Sequence, residues 1–189
     1  MWDAEDGLYY DYDFARKRLR KYPFLTTFYP LWAGIATHEQ AGRVAANLMR
    51  FEQPGGLQTS TAPSGNQWDA PFGWAPLQLI AVQGLRRYGF HEAADRIAIK
   101  FLSLVRDEYL KSGTIVEKYD VVRRATEVSG DIRFGYRSNE VGFGWTNAVF
   151  VTLLDELGPG GKRDVMGGRT PEIGVVRTDS YGVSTNSAR

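Results

Sequence analysis

No cysteine occurs among the 189 residues. That excludes disulfides and thiolate metal sites, without fixing the compartment. Histidine is almost as scarce: the chain has two, His38 and His91, which argues against a histidine-based zinc centre. Each has a simpler place at the start of a predicted helix. An excess of charge of one sign is also absent. A net charge of +1 offers no field for nucleic acid or an anionic membrane surface. No window approaches the roughly 18 apolar residues of a membrane span, and the first residues lack a charged-then-apolar leader pattern. Nothing in the sequence calls for a cofactor or a metal. With 43% hydrophobic residues, the length suits one ordinary domain with a sizeable core.

What the chain does have is a concentrated run, Gln67-Trp68-Asp69-Ala70-Pro71-Phe72-Gly73-Trp74-Ala75-Pro76. Two indoles, an amide and a carboxylate lie within one turn-rich stretch, and the prolines forbid a regular helix between them. Pro76 suits the first turn of a helix that follows. An indole flanked by Gln and Asp is what a sugar site needs, because a pyranose stacks its apolar face on a ring and needs close donors and acceptors for its hydroxyls. A lone tryptophan in such a loop is more often a core anchor. Three aromatics with Gln and Asp in one stretch broken by two prolines favour a ligand loop.

The remaining pattern is helical. Residues 1–13 read as a turn at Asp6-Gly7 between short extended pieces, and residues 14–20 as a basic helical turn or surface loop. Phe24 to Ile35 is apolar on nearly all sides and predicts a buried helix despite Pro30. Thr37 to Gln40 fits a capping box. Further helices are predicted over Trp74 to Tyr88, His91 to Leu110 with Gly113 as terminator, and Phe143 to Leu157. Short links alternate with long Gly- and Pro-rich ones, as in helical hairpins whose functional loops gather at one end.

Four blocks stand in order: Pro54-Gly55-Gly56-Leu57 with Thr59-Ser60-Thr61, the run from Gln67, Val116-Glu117-Lys118-Tyr119-Asp120, and Gly142-Phe143-Gly144-Trp145-Thr146-Asn147. The set resembles the trehalase family of glycoside hydrolases, enzymes that split α,α-trehalose into two glucoses. The resemblance spans most of residues 1–157, and the blocks at Gln67 and Gly142 are unusually specific. It implies an all-α fold of helical hairpins forming part of an (α/α)6 barrel. Residues 1–157 would be the C-terminal part of the catalytic domain. Residues 158–189, rich in Gly, Thr, Ser and Arg without periodicity, read as a disordered or loosely attached tail.

The resemblance also implies an inverting reaction, with an Asp acid and a Glu base far enough apart to admit water. The block at residues 116–120 matches the segment that supplies the base, which maps onto Glu117. Its neighbours Ile115, Val116 and Tyr119 predict a partly desolvated carboxylate, and Lys118 would point elsewhere if the segment is extended. Gln67, Trp68, Asp69 and Trp145 would line the sugar site. Tyr136 matches a family tyrosine, but no Glu precedes it. Glu140 therefore either replaces the family's substrate-contacting carboxylate or occupies the position of a following Gln. The acid segment is not found; Asp3, Asp69, Asp120 and Asp131 are carboxylates outside the matching context. The chain alone is expected to be inactive, with trehalose as the substrate of the whole. Two other readings stay open: a helical-barrel glycosidase for another α-glucoside, and a non-catalytic fragment that binds sugar weakly. A cytoplasmic setting follows if Met1 is the native start, a periplasmic one if an upstream segment carries an export signal.

Overall fold

The computed structural model describes residues 1–128 and 132–176. The chain begins with two small antiparallel pairs. β1 (Trp2–Asp3) pairs with β2 (Leu8–Tyr9), and the Asp3 carboxylate accepts the Glu5 and Asp6 N–H groups to hold the intervening turn. β3 (Asp11–Asp13) pairs with β4 (Arg18–Arg20), so the segment predicted as a helical turn or surface loop ends in a strand.

Phe24 to Ile35 is not one buried helix. A 3-10 turn at Leu25–Phe28 leads into a short helix α1 (Tyr29–Ala33). Pro30 lies in the first turn of α1, where its missing N–H costs nothing, and it therefore starts a helix here instead of continuing one. Only one side is covered: Leu25, Phe28 and Leu31 are buried, whereas Tyr29 and Trp32 are exposed and Ile35 is 76% exposed. α2 (His38–Ala46) opens with the predicted capping box, in which Thr37 Oγ1 accepts the Gln40 N–H and Gln40 Oε1 accepts the Thr37 N–H.

β5 (Glu52–Gln53) and β6 (Gly56–Leu57) flank Pro54 and Gly55. β7 (Phe72–Trp74) runs into α3 (Ala75–Arg87), and a tight link through Gly89 reverses the chain into α4 (His91–Ser112), which ends at the left-handed Gly113. β8 (Lys118–Asp120), α5 (Gly144–Glu156) and α6 (Pro159–Met166) follow.

The core lies where α3 meets α1, α4 and α5. α3 and α1 approach closely because Gly84 has no side chain; a Cβ there would stand 3.0 Å from the Trp32 nitrogen and 3.1 Å from Leu31 Cβ. The fully buried Gln78 ties α3 to the Pro54–Leu57 loop. Its amide donates to the Leu57 carbonyl at 2.7 Å and accepts the Leu57 N–H at 2.8 Å, pairing as a strand residue would.

α6 corrects the reading of everything after residue 157 as an aperiodic tail. Pro159 starts a helix, Val165 is fully buried, and α6 packs on α4. Beyond it, the Gly174 carbonyl accepts a hydrogen bond from Arg96 and Val176 packs on the core. Residues 177–189 of the predicted tail, and Asp131 among the candidate carboxylates, lie outside the described residues.

Candidate active site

The long loops of residues 54–74 and 111–142 meet as expected. β7 pairs with β8 in the register Phe72 to Asp120, Gly73 to Tyr119 and Trp74 to Lys118. Single bridges join Asn66 to Phe134 and Val116 to Val141. Gly73 permits the close approach, because a Cβ at this position would fall 2.4 Å from Val121 Cγ1 and 2.9 Å from the Leu57 carbonyl oxygen. The two halves of the predicted site are thus stapled by backbone.

Glu117 is 1% exposed. It lies at a bend just before β8, not inside the strand. That bend overturns the expectation for Lys118, since face alternation holds only within an extended run. Lys118 Nζ stands 3.1 Å from Glu117 Oε2 and donates to the Ser138 carbonyl at 2.7 Å. It is fully buried, with its ammonium 5.3 Å from the Trp74 ring centre and 4.4 Å from that of Tyr136. A desolvated ammonium against two ring faces gains from their quadrupoles. The other carboxylate oxygen, Oε1, accepts the Tyr136 hydroxyl. Glu117 is therefore not a bare carboxylate in an apolar nest but one member of a Lys–Glu–Tyr cluster.

Desolvation of the Tyr136 hydroxyl, reinforced by its bond to Glu117 and by the charges of Glu117 and Glu140, pushes this phenol up to about 12. It stays protonated and acts as a donor near neutral pH. Asn139 holds the strand edge: its Oδ1 accepts the Lys118 N–H, and its Nδ2 donates to the carbonyls of Lys118 and Thr126.

The predicted aromatic wall assembles around Trp74. Trp68 and Trp74 stack at 3.7 Å with 7° between planes, and Trp145 meets both edge-on at 6.3 and 5.8 Å. Trp74 is buried and donates its indole N–H to the Gln67 carbonyl at 2.8 Å. Gln67 Oε1 and Trp145 Nε1 are buried with no protein partner among the described residues. Two such atoms at one loop cluster are what a polyhydroxyl ligand or water would satisfy.

Asp69 is placed differently from a free sugar ligand. Its Oδ1 accepts the Tyr22 hydroxyl at 2.6 Å and its Oδ2 accepts the Ser64 hydroxyl, so it braces the loop. Asp120 caps a turn through Oδ1, which accepts the Val122 and Arg123 N–H groups, while its buried Oδ2 has no hydrogen-bond partner among the described residues. Glu140 is exposed, one residue before the bridge of Val141 to Val116. The structure thus gathers Glu117, Gln67, Trp68 and Trp145 around one loop cluster and leaves Glu140 at its edge. Sequence reasoning turned Lys118 away from Glu117 and passed over Tyr22. The signal for Lys118 was present as a lysine directly beside the candidate base.

Paired helices, long loops that meet across β7 and β8 and a buried carboxylate beside stacked indoles define part of a helical barrel with its site among the loops. The chain belongs to the trehalase family, whose model matches residues 1–158. A periplasmic trehalase of Pseudomonas aeruginosa is 45% identical over 161 residues, covering 83% of this chain and 28% of the relative. A cytosolic neutral trehalase of Beauveria bassiana is 39% identical over 168 residues, covering 80% and 23%. Among solved structures, the neutral trehalase of Saccharomyces cerevisiae superposes with a TM-score of 0.75 at 37% identity, over 90% of this chain and 30% of that one. A mannosylglycerate hydrolase of Thermus thermophilus, solved with glucose, shares the (α/α)6 barrel fold at a TM-score of 0.64 and 24% identity, over 80% and 34%. The chain therefore spans less than a third of the length of the trehalases it matches.

Proposed function

We propose that this chain supplies the base side and the aromatic wall of a glycoside hydrolase that splits α,α-trehalose into two glucoses with inversion. In this reading Glu117 takes a proton from the attacking water as the water oxygen bonds to the anomeric carbon. The glycosidic oxygen leaves on the opposite face with a proton from a carboxylic acid. Lys118 and Tyr136 hold the carboxylate by its two oxygens, which still leaves lone pairs for the water because a carboxylate accepts about four hydrogen bonds. Gln67, Trp68 and Trp145 receive the sugar, and Glu140 contacts it from the loop edge. The acid belongs to sequence outside these 189 residues. Asp69 is committed to bracing the loop through both of its oxygens, which supports that assignment and the inactivity of the chain by itself.

The observation that carries the reading is a carboxylate with almost no exposure, held at both oxygens, at the point where the two family loops are joined by β7 and β8. The test is Glu117→Gln in the full-length gene product. An amide cannot accept the proton, so kcat on trehalose should fall by about 10²–10⁴, with little change in direct binding of a non-hydrolysed analogue. Near-normal turnover in this variant would remove Glu117 from the mechanism. Hydrolysis of a different α-glucoside in preference to trehalose would keep the base and replace the substrate.

A further inference from the structure

Lys118 is fully buried, a costly place for an ammonium, and it opens the strand that follows the base. We propose that Lys118 is a positioning residue of the reaction, whose charge keeps Glu117 anionic and whose bonds fix that carboxylate against the aromatic wall. The inference rests on the reading of Glu117 as general base and goes beyond it, by assigning control of the base to one neighbour.

The contacts of the ammonium assign this role. An ammonium has three N–H donors and no acceptor. One reaches Glu117 Oε2 at 3.1 Å and another the Ser138 carbonyl at 2.7 Å. The remaining directions are closed by the rings of Trp74 and Tyr136, at 5.3 and 4.4 Å. With no exposed surface, Lys118 has nothing to offer a sugar hydroxyl, so it acts through Glu117. Its main chain is held as firmly, because the Asn139 carboxamide accepts the Lys118 N–H and donates to the Lys118 carbonyl. Lys118 thereby fastens the segment of residues 136–139 to β8 beside the base.

The charge matters because Glu117 is equally buried. Burial alone favours the protonated form of a carboxyl, which cannot act as a base, and a cation within about 4 Å opposes it. The other elements at this seat bring no such cation. β7 presents the Trp74 indole, and α5 presents the Thr146 hydroxyl, which donates to the Glu117 carbonyl at 3.4 Å. The loop after β8 presents the Asn139 carboxamide and the Tyr136 phenol, with the negative charge of Glu140 acting on that phenol. Of these groups and Lys118, only Lys118 is positive.

The experiment is the pH dependence of kcat/KM on trehalose, which reports the essential base of the free enzyme. It compares the full-length gene product with its Lys118→Met, Lys118→Gln and Lys118→Arg variants, circular dichroism identifying those that fold. Methionine fills the volume of the stem without charge, glutamine keeps a donor without charge, and arginine keeps the charge. Without the cation the carboxylate takes up a proton at higher pH. The acid limb should therefore move up by about one pH unit or more in the two neutral variants and stay in place in Lys118→Arg. At the optimum, kcat of the neutral variants should fall about 10–10²-fold while KM holds, the mark of a base displaced and not of a lost sugar contact. An acid limb in the same place in wild type and in either folded neutral variant overturns the inference. So does a rise in KM with kcat unchanged, which would make Lys118 a binding residue. Two neutral variants of different polarity keep the test available where one does not fold. Glu117→Gln separates the two claims: near-normal turnover there removes the base itself, whereas an inactive Glu117→Gln with an unmoved limb removes the role of Lys118 alone.

Discussion

α4 and α5 both pack on α3, but they are patterned in opposite ways. α4 has an apolar side through Ala94, Ile97, Ala98, Phe101, Leu104 and Val105, all fully buried. Its other surface carries Glu92, Asp95, Arg106, Asp107 and Lys111. α5 runs Trp145, Ala148, Val149, Phe150, Val151, Leu153 and Leu154 with no basic residue and acids only at its end. Yet only Thr146, Val149 and Leu153 of α5 are buried, and Val151 is 66% exposed. A helix with one apolar stripe expects water on its far side; a helix apolar all round expects protein on every side. Tyr29, Trp32 and Ile35 at α1 repeat the α5 pattern. The difference separates a helix whose partners are present, enclosed all round from Ile97 to Val105 and covered by α6, from helices that still expose apolar faces. It also explains why a segment spanning 28% of a relative leaves apolar faces open.

The largest effect should come from the layer that is already complete. On α4, Lys100 is 1% exposed and donates to Glu52 Oε1 at 2.7 Å, while Arg96 grips both oxygens of Glu52 at 2.9 and 3.0 Å. Glu52→Ala would leave a buried ammonium without its counter-charge, at a cost of about 3–5 kcal/mol. Urea unfolding is the measurement. Glu52→Leu combined with Lys100→Met should recover most of the loss, since an apolar pair of similar volume is often neutral. A large loss in the double variant would show that Arg96 alone demands the carboxylate.

A smaller effect should separate the two helices directly. Val151→Ala should change the stability of the 189-residue chain by no more than about 0.5 kcal/mol, the range for an exposed position. In the full-length gene product the same change should cost about 1.5–3 kcal/mol, because further helices would bury those methyl groups. Equal and negligible losses in both settings would mean that Val151 faces water in the whole protein, and the reading of α5 as a helix that further protein covers would fall.

The same contrast shows what the sequence discloses. Thr37 with Gln40, and Gly113 after α4, were legible because caps are local chemistry with a fixed spacing. The Trp68, Trp74 and Trp145 cluster was legible through family blocks, although nothing in their spacing states that the first two stack. Three features were hidden for different reasons. Pro30 ends one helical turn and begins another within a continuous apolar run, and periodicity is blind to that break. α6 contains Gly160 and Gly161 and few apolar residues, a poor helix by propensity that its packing on α4 sustains. Lys118 was misplaced because the bend at Glu117 breaks the alternation on which its orientation was reckoned. Local rules carry far along this chain and fail where a tertiary partner decides.

The smallest effect concerns Glu108, on α4 beside the loop that leads into the site. Its Oε2 accepts the Thr126 N–H at 3.1 Å and hydroxyl at 3.0 Å, and its Oε1 accepts Lys111 Nζ at 2.6 Å. Burial alone would raise this carboxyl, but the bonds from Lys111 and Thr126 outweigh it and hold the group below its ordinary 4.5. A carboxyl lowered in the folded state contributes stability that is present above its unfolded value and is lost as pH falls through the folded one. Glu108→Gln removes that dependence. Between about pH 6 and about pH 3 the wild type should therefore lose about 1 kcal/mol or less more than the variant, because Lys111 is exposed and screened. Urea unfolding of both proteins across that window measures the difference. Parallel losses would show that Thr126 and Lys111 serve the amide as well as the carboxylate, so that Glu108 secures the loop by hydrogen-bond geometry and not by its charge.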